Sequence, residues 1–129
     1  MRESVPINAI FRQKKRPRYG NKKVEYEGHK FDSKRECEYY KVLRIMKAAG
    51  EIVDFSVHPK YIIIDSYKCP STGRKIPATT YSADFFVRYP DGTTKVIDVK
   101  SEATRKKDAY RIKKKAFEQR YGIAIHEIA

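Results

Sequence analysis

The 129-residue sequence contains no tryptophan, only two cysteines and no long apolar run. Its longest strictly apolar run, residues 61–64, is much shorter than the roughly 20 residues that a membrane-spanning helix needs, so we expect no membrane-spanning segment. The start of the chain also lacks the apolar stretch of a secretory signal. Cys37 and Cys69 cannot form a four-ligand zinc site by themselves, and a disulfide framework is not expected from two widely spaced cysteines. These absences predict reduced thiols and a cytoplasmic location.

Acidic residues are scarce relative to basic ones. Lys and Arg number 29 and Asp and Glu number 16, which gives a formal net charge of +13. Such an excess on a small domain is typical of proteins that bind polyanions. Nucleic acid is therefore the first candidate partner and an anionic membrane surface the second. Charge alone does not separate a binding protein from a catalyst.

Residues 1–23 form a predicted basic N-terminal arm. The segment 12–18 is dense in positive charge and contains Pro17, so repulsion between its side chains favours an extended or disordered state without a partner. Arg16 and Arg18 are candidate nucleic-acid contacts in this arm. The alternative interpretation of the arm is a solubilising tail.

Residues 24–129 have the pattern of a single α/β domain with a mixed sheet flanked by helices. The alternation predicts a hairpin over 24–31, a helix over 34–49, strands over 52–57, 60–67, 79–89 and 93–100, a loop over 68–77, a second helix over 105–121 and a last strand over 123–128. Thr104 is the expected cap of the second helix. Helical spacing places two sets of residues on core faces: Tyr39, Val42, Leu43, Met46 and Ala49 in the first helix, and Ala109, Ile112, Ala116 and Phe117 in the second.

The most informative stretch is the hairpin formed by the strands 79–89 and 93–100. Pro90-Asp91-Gly92 suits a three-residue loop, because Pro presets the first turn and Gly accepts the left-handed position. This loop fixes the pairing of the strands. The predicted pairs include Tyr89–Thr93, Phe86–Val96, Asp84–Asp98 and Ser82–Lys100.

Two carboxylates directly opposite each other repel, so the predicted register needs a compensating group. A divalent cation bound by Asp84 and Asp98 would compensate, and Lys100 projects from the same face of its strand as Asp98. A metal-bound water, a lysine and a basic surface together indicate phosphodiester hydrolysis. The alternatives are a pair of solvated acids on an open face, or a one-residue slip that separates them.

Glu36 in the first helix has two interpretations. Ser33 and Glu36 fit a capping box, in which the glutamate binds the backbone of the helix start. Glu36 also precedes Tyr40 and Leu43 on one helix stripe, so its carboxylate could instead join a metal cluster on the sheet. Both interpretations remain open from the sequence.

Together these residues resemble the PD-(D/E)XK nuclease superfamily, and in particular small phage-encoded endonuclease-like proteins related to Holliday junction resolvases. The similar segments run in the same order along the chain, from about residue 19 to the C-terminus: Tyr19–Lys22, Phe31–Glu36, Tyr81–Phe85 and Ile97–Lys100. Ala83 stands where the superfamily has proline, and Asp98 where many relatives have glutamate. The resemblance implies a restriction-endonuclease-like core with element order αβββαβ.

The resemblance also implies roles for individual residues. Asp84, Asp98 and the backbone carbonyl of Val99 would bind Mg²⁺, for which Mn²⁺ could substitute. Lys100 would orient the attacking water or stabilise charge on the phosphate, and Glu36 would hold a metal-bound water or a second ion. The implied catalytic set is therefore Glu36, Asp84, Asp98 and Lys100.

The expected partner is branched or junction DNA, in the cytoplasm of the host cell for a phage protein. Two symmetric cuts in a four-way junction imply a homodimer. Besides the arm, the expected DNA contacts are Lys34, Lys106, Lys107, Arg111 and Lys114. The competing hypotheses are a non-catalytic nucleic-acid-binding module on the same fold, and a nickase or flap nuclease. A binder of anionic membranes is a third, but Ala109, Ile112 and Ala116 are too small to give the second helix the necessary apolar face, so we expect no membrane partner.

Overall fold

The computed structural model describes residues 23–129, and the chain divides into two compact units after Cys37. The predicted arm, with its candidate contacts Arg16 and Arg18, falls outside the described residues except for its last position. Within residues 23–129, none of the helices has the length and apolar character needed to cross a bilayer. Both cysteines are free thiols, in agreement with the sequence prediction.

The described part of the N-terminal unit begins with the predicted hairpin. Strands β1 (Val24–Tyr26) and β2 (His29–Phe31) pair antiparallel, with Val24 opposite Phe31. The two-residue turn has positive φ at both positions, 51° at Glu27 and 82° at Gly28. A turn of this kind matches the twist of the two strands, so the hairpin prediction is confirmed.

Helix α1 (Lys34–Ala48) begins in the N-terminal unit, and Ser33 caps it by accepting a hydrogen bond at Oγ from the backbone N–H of Glu36, at 3.1 Å. The buried positions of α1 follow a helical spacing: Glu36, Cys37, Tyr40 and Leu43. Of the predicted core stripe, Leu43 is buried as expected, but Val42 is 46% exposed and Ala49 is exposed, so these two expectations were wrong. Spacing alone fixes the period of a buried stripe, whereas its phase depends on which side the sheet covers.

The second unit contains the remaining elements. In chain order they are β3 (Asp54–Val57), β4 (Lys60–Ile64), β5 (Tyr67–Lys68), β6 (Lys75–Ile76), β7 (Thr79–Ser82), β8 (Phe85–Arg88), β9 (Thr94–Val99), α2 (Glu102–Arg105), α3 (Asp108–Tyr121) and β10 (Ile125–Ile128). The largest sheet has the order β10-β9-β8-β3, in which only β9 and β10 are parallel. The prediction of an α/β fold with a mixed sheet is confirmed.

The predicted register of the β8–β9 hairpin is confirmed over the paired residues Phe85–Arg88, but the predicted pair Ser82–Lys100 is wrong, because Ser82 pairs with Lys60 of β4. Phe86 lies opposite Val96 and Phe85 opposite Ile97. At the loop, the backbone N–H of Tyr89 donates to the carbonyl of Thr93 at 2.8 Å. Gly92 has φ of 92°, a conformation that favours glycine and explains its place in the loop.

The predicted continuous strand 79–89 is wrong, because the chain changes sheets in its middle. Strand β7 pairs with β4, whereas β8 pairs with β3 and β9. At the break, Ala83 N–H donates to the carbonyl of Pro59 at 3.1 Å, and the carbonyl of Asp84 accepts from His58 N–H at 2.9 Å. The alternation of residue types continues through 79–89 and does not reveal the change of partner.

A core cluster of the second unit lies between the sheets and α3. Its buried members are Ile63, Tyr81, Ala83, Val96, Phe117 and Ile125. The Phe117 ring lies 5.5 Å from that of Tyr81. On α3 the expected core residues Ala109 and Ile112 are exposed, Ile112 to 65%, so their assignment was wrong. The predicted core residues Ala116 and Phe117 do face the core, and Tyr110 joins them.

Two further boundaries differ from the sequence prediction. The expected helix 105–121 begins only at Asp108, as α3, and its N-cap is Lys107 rather than Thr104. The short helix α2 precedes it and is capped by Ser101, which accepts the N–H of Thr104 at 3.2 Å. The expected loop 68–77 contains a two-stranded ribbon, with Tyr67 opposite Ile76. Both segments are rich in polar and turn-forming residues, so short helices and strands within them are not recognisable from the sequence pattern.

Candidate functional site

Asp84 is held at the break between β7 and β8 by its backbone. Its N–H donates to the carbonyl of Ile97 at 3.1 Å and to Oδ1 of Asp98 at 2.9 Å. Its carbonyl accepts the N–H of His58 at 2.9 Å. Because the peptide groups on both sides of the residue are occupied, the backbone fixes the direction in which the side chain leaves the sheet.

The carboxylate of Asp84 lies beside the end of β9. Its Oδ2 accepts the backbone N–H of Val99 at 2.7 Å, in the place where a ladder hydrogen bond would otherwise form. Its Oδ1 lies 3.6 Å from the Nζ of Lys100. The side chain of Asp84 is 4% exposed and that of Lys100 is 21% exposed, so this ion pair is shielded from water on the acid side.

Asp98 is completely buried, and both of its carboxylate oxygens accept hydrogen bonds. Oδ1 accepts the N–H of Asp84, and Oδ2 accepts the hydroxyl of Tyr81. Burial raises the pKa of Asp98, although the nearby charge of Lys100 acts in the opposite direction. Burial and the charge of Asp98 raise the pKa of Tyr81, so its hydroxyl remains a donor.

Protein groups compensate the two neighbouring carboxylates of Asp84 and Asp98. The structure brings Asp84 and Asp98 together, as the register predicted, but each acid accepts a peptide N–H. Lys100 and Tyr81 supply further compensation. Repulsion between the two acids therefore does not by itself require a metal ion.

His58 lies beside Asp84, although it is not among the catalytic or metal-binding residues predicted from the sequence. One of its ring nitrogens lies within 4.8 Å of a carboxylate oxygen of Asp84. Its φ of 53° is in the left-handed region and coincides with the end of β3. The signal in the sequence was the His58-Pro59 pair between two strands, which indicated a bend without indicating what the imidazole faces.

Glu36 belongs to the N-terminal unit and occupies the first turn of α1. It is 1% exposed, which is rare for a glutamate, and its backbone N–H donates to Ser33. The cap that the sequence predicted therefore exists on the backbone side. A carboxylate this deeply buried also fits the second interpretation, in which the side chain has a functional role.

The basic residues predicted to contact DNA differ in their surroundings. In the second unit, Lys106 and Arg111 are exposed and pair with Glu102 at 3.1 Å and Asp108 at 3.9 Å. Lys107 is half-buried at the start of α3, and in the N-terminal unit Lys34 is exposed. These residues remain predicted contacts.

Lys114 has a more structural environment than its neighbours on α3. Its Nζ lies 3.3 Å from the carboxylate of Glu127, which also accepts the hydroxyl of Tyr110 at 2.8 Å. Burial raises the pKa of Tyr110, as does the nearby charge of Asp98. Lys114 thus neutralises the carboxylate of Glu127 next to the half-buried Tyr110, in addition to any role toward DNA.

Comparison with known proteins gives a family without a described activity. The family model described as "Protein of unknown function (DUF1064)" matches residues 16–127. The chain belongs to the DUF1064 family. The curated proteins and the solved structures contain no match. The DUF1064 match includes each of the candidate residues described above, in both units.

The hydrogen bond between Tyr81 and Asp98 gives a testable consequence. Replacing Tyr81 by Phe removes the donor to a fully buried carboxylate, and we expect the free energy of unfolding to fall by about 1–3 kcal/mol. Urea denaturation followed by circular dichroism measures this change. Tyr67→Phe is the matched control, because Tyr67 is 52% exposed and its replacement should alter stability by less than about 0.5 kcal/mol. Equal stability of both variants would contradict the described role of Tyr81.

Proposed function

We propose that this protein is a metal-dependent endonuclease that hydrolyses phosphodiester bonds in DNA. The observation that carries the proposal is the arrangement around Asp84, a buried carboxylate fixed by its backbone, with the amine of Lys100 and an imidazole of His58 close by. Buried acids beside a lysine are found where charge must be controlled during a reaction. The formal charge of +13 supplies attraction for a polyanionic substrate.

The fold supports the same proposal. The central elements run α1, β3, β8, β9, α3 and β10, which is the αβββαβ order expected for a restriction-endonuclease-like core. Asp84 precedes β8, and Asp98 and Lys100 lie at the end of the adjacent β9. Ion-binding residues at the ends of neighbouring strands agree with the PD-(D/E)XK resemblance, which we adopt as part of the proposal.

The donor groups near Asp84 fit a divalent cation. The proposed ligands are a carboxylate oxygen of Asp84, the backbone carbonyl of Val99 and, after a change in its hydrogen bonds, Asp98. Oxygen donors of this kind suit Mg²⁺ and Mn²⁺, and the imidazole of His58 is a further reason to include Mn²⁺ in assays. When bound, such an ion supplies Lewis acidity and lowers the pKa of a coordinated water.

The chain's own residues would act on the phosphate as follows. In hydrolysis, a water oxygen bonds to phosphorus, the bond from phosphorus to one sugar oxygen breaks, and that oxygen takes up a proton. The water loses its proton to solvent or to a nearby base. The ammonium group of Lys100 would stabilise the negative charge that grows on the phosphate oxygens, since it already lies 3.6 Å from the Asp84 carboxylate.

Asp98 and Glu36 complete the proposed set with different support. Asp98 holds the backbone N–H of Asp84, so it would position Asp84 even where it does not contact the ion itself. Glu36 enters the proposal through the motif resemblance and its own deep burial. A junction-resolving preference, a homodimer and a phage origin rest on the resemblance alone.

A second candidate function is a nucleic-acid-binding module that does not cut. The observation that favours it is the complete compensation of the two acids by peptide groups, Tyr81 and Lys100. A module of this kind would bind DNA equally well with and without a divalent cation. A nickase or a flap nuclease shares the proposed chemistry and differs only in the DNA structure that it prefers.

Replacing Asp84 by Asn tests the proposed metal site. We expect cleavage of DNA in Mg²⁺ to fall by about 100-fold or more, because the amide cannot carry the negative charge that binds the ion. Binding of the same DNA in Ca²⁺ should stay near that of the wild type. Electron paramagnetic resonance of Mn²⁺ provides a readout of metal affinity that does not depend on activity.

Asp108→Asn is the matched control for this experiment, because the Asp108 side chain is 92% exposed on α3. It removes the same charge and should leave both cleavage and Mn²⁺ binding unchanged. Normal cleavage by the Asp84 variant would contradict the metal assignment. Loss of Mn²⁺ binding in Asp108→Asn but not in Asp84→Asn would also contradict the metal assignment.

Replacing Glu36 by Gln separates its capping role from a functional one. Ser33→Ala provides the comparison, since it removes only the cap and should lower stability by about 1 kcal/mol. If Glu36 is functional, Glu36→Gln should abolish cleavage while its melting temperature stays above that of Ser33→Ala. Intact cleavage with a lowered melting temperature would leave capping as the only role of Glu36.

A further inference from the structure

A small basic ribbon lies outside the candidate site and has no part in the chemistry proposed above. It comprises residues 67–76, which form β5, a turn and β6. These two strands pair only with each other among the described residues. The ribbon contains Lys68, Arg74 and Lys75 and no acidic residue. All three basic residues are exposed.

The register of the ribbon places like charges against each other. Lys68 lies directly opposite Lys75 across the two strands. Two lysines in this arrangement repel and reduce the stability of a hairpin that is already short. Within residues 23–129, neither these lysines nor Arg74 has an ion-pair partner, and the nearby Asp65 pairs with Arg120 at 2.9 Å. An anion bound between the two lysine ammonium groups would relieve the repulsion.

The turn of the ribbon is ordered despite this cost. Cys69 N–H donates to the carbonyl of Arg74, and Gly73 N–H donates to the carbonyl of Cys69, both at 2.8 Å. The side chain of Thr72 accepts the N–H of Arg74 at 3.2 Å, and Gly73 has a positive φ of 73°. These bonds order the turn between the two strands, so the three basic residues are carried close together on a narrow support, which favours binding to a regular polyanion.

We propose that the basic ribbon inserts into the major groove of duplex DNA and contacts its phosphates through Lys68, Arg74 and Lys75. Two paired strands are separated by roughly 4.8 Å, and the major groove of B-form DNA, about 12 Å wide, admits a two-stranded ribbon. The inference rests on the proposed function for the identity of the polyanion. It adds a DNA contact that lies apart from the residues around Asp84.

Duplex RNA and lipid surfaces fit the ribbon less well. The major groove of A-form RNA is deep and narrow, so a ribbon cannot enter it. Insertion into a membrane interface would need apolar residues at the tip. The turn residues are Cys69, Pro70, Ser71, Thr72 and Gly73, and the larger apolar residues Tyr67 and Ile76 lie at the base. These features favour DNA as the partner.

The test is a triple variant of the full chain in which Lys68, Arg74 and Lys75 are each replaced by Gln. Binding to a linear duplex is measured by fluorescence anisotropy at several salt concentrations, with Ca²⁺ and no Mg²⁺ so that no cleavage is needed. Each lost phosphate contact should reduce the slope of log K against log salt by about 0.9, so three contacts predict a reduction of about 2.7. The variant should also melt no lower than the wild type, because the lysine repulsion is gone.

The matched control replaces Lys30, Lys47 and Lys95 by Gln, which removes the same charge from other exposed positions. We expect a much smaller change in slope for this control. Equal slopes for the two triple variants, equal loss of affinity for duplex RNA, or no DNA binding by the wild type would each overturn the ribbon proposal.

The result is separable from the fate of the nuclease proposal. If the wild type never cuts DNA but the ribbon variant has a smaller slope of log K against log salt, the ribbon proposal is supported and the nuclease proposal is rejected. Normal binding by the ribbon variant of a protein that cuts DNA would reject the ribbon and leave the nuclease intact.

Discussion

The structure around the site depends on how the chain passes from one sheet to another at Ala83 and Asp84. At this point the backbone of Asp84 bonds to β9 on one side and to the turn at His58 on the other. Its side chain then occupies the hydrogen-bonding position of Val99 N–H, where the regular ladder of β8 and β9 has ended. An acidic residue is suited to this place, because a carboxylate can accept the peptide donor that the departing strand leaves unpaired.

The burial of a second acid follows from the same arrangement. Asp98 lies on the neighbouring strand, has no exposure and compensates the backbone of Asp84 rather than its carboxylate. Tyr81 contributes the remaining hydrogen bond from strand β7, just before the break. The polar groups thus support one another within an otherwise apolar cluster that includes Val96 and Phe117. Such a network is costly to disturb and holds Asp84 and Lys100 in place.

The sequence predicted those parts of the structure that local chemistry determines. The loop Pro90–Gly92 fixed the β8–β9 register, and that register correctly brought Asp84 and Asp98 together. The strand break at Ala83 could not be predicted, because it depends on pairing with β4, which is distant in the sequence. The closeness of His58 to Asp84 could not be predicted for the same reason. The exposed Ile112 shows that helical spacing leaves undetermined which face of a helix is buried.

The most direct measurement of the central claim is the incubation of the wild-type protein with labelled linear, nicked, flapped and four-way DNA, with and without Mg²⁺. The proposed nuclease activity predicts cleavage products only in the presence of Mg²⁺ or Mn²⁺, with four-way DNA cut in preference to the linear duplex. Binding of all four DNAs without any cleavage, unaffected by the metal, would contradict it and leave the residues around Asp84 with a purely structural role.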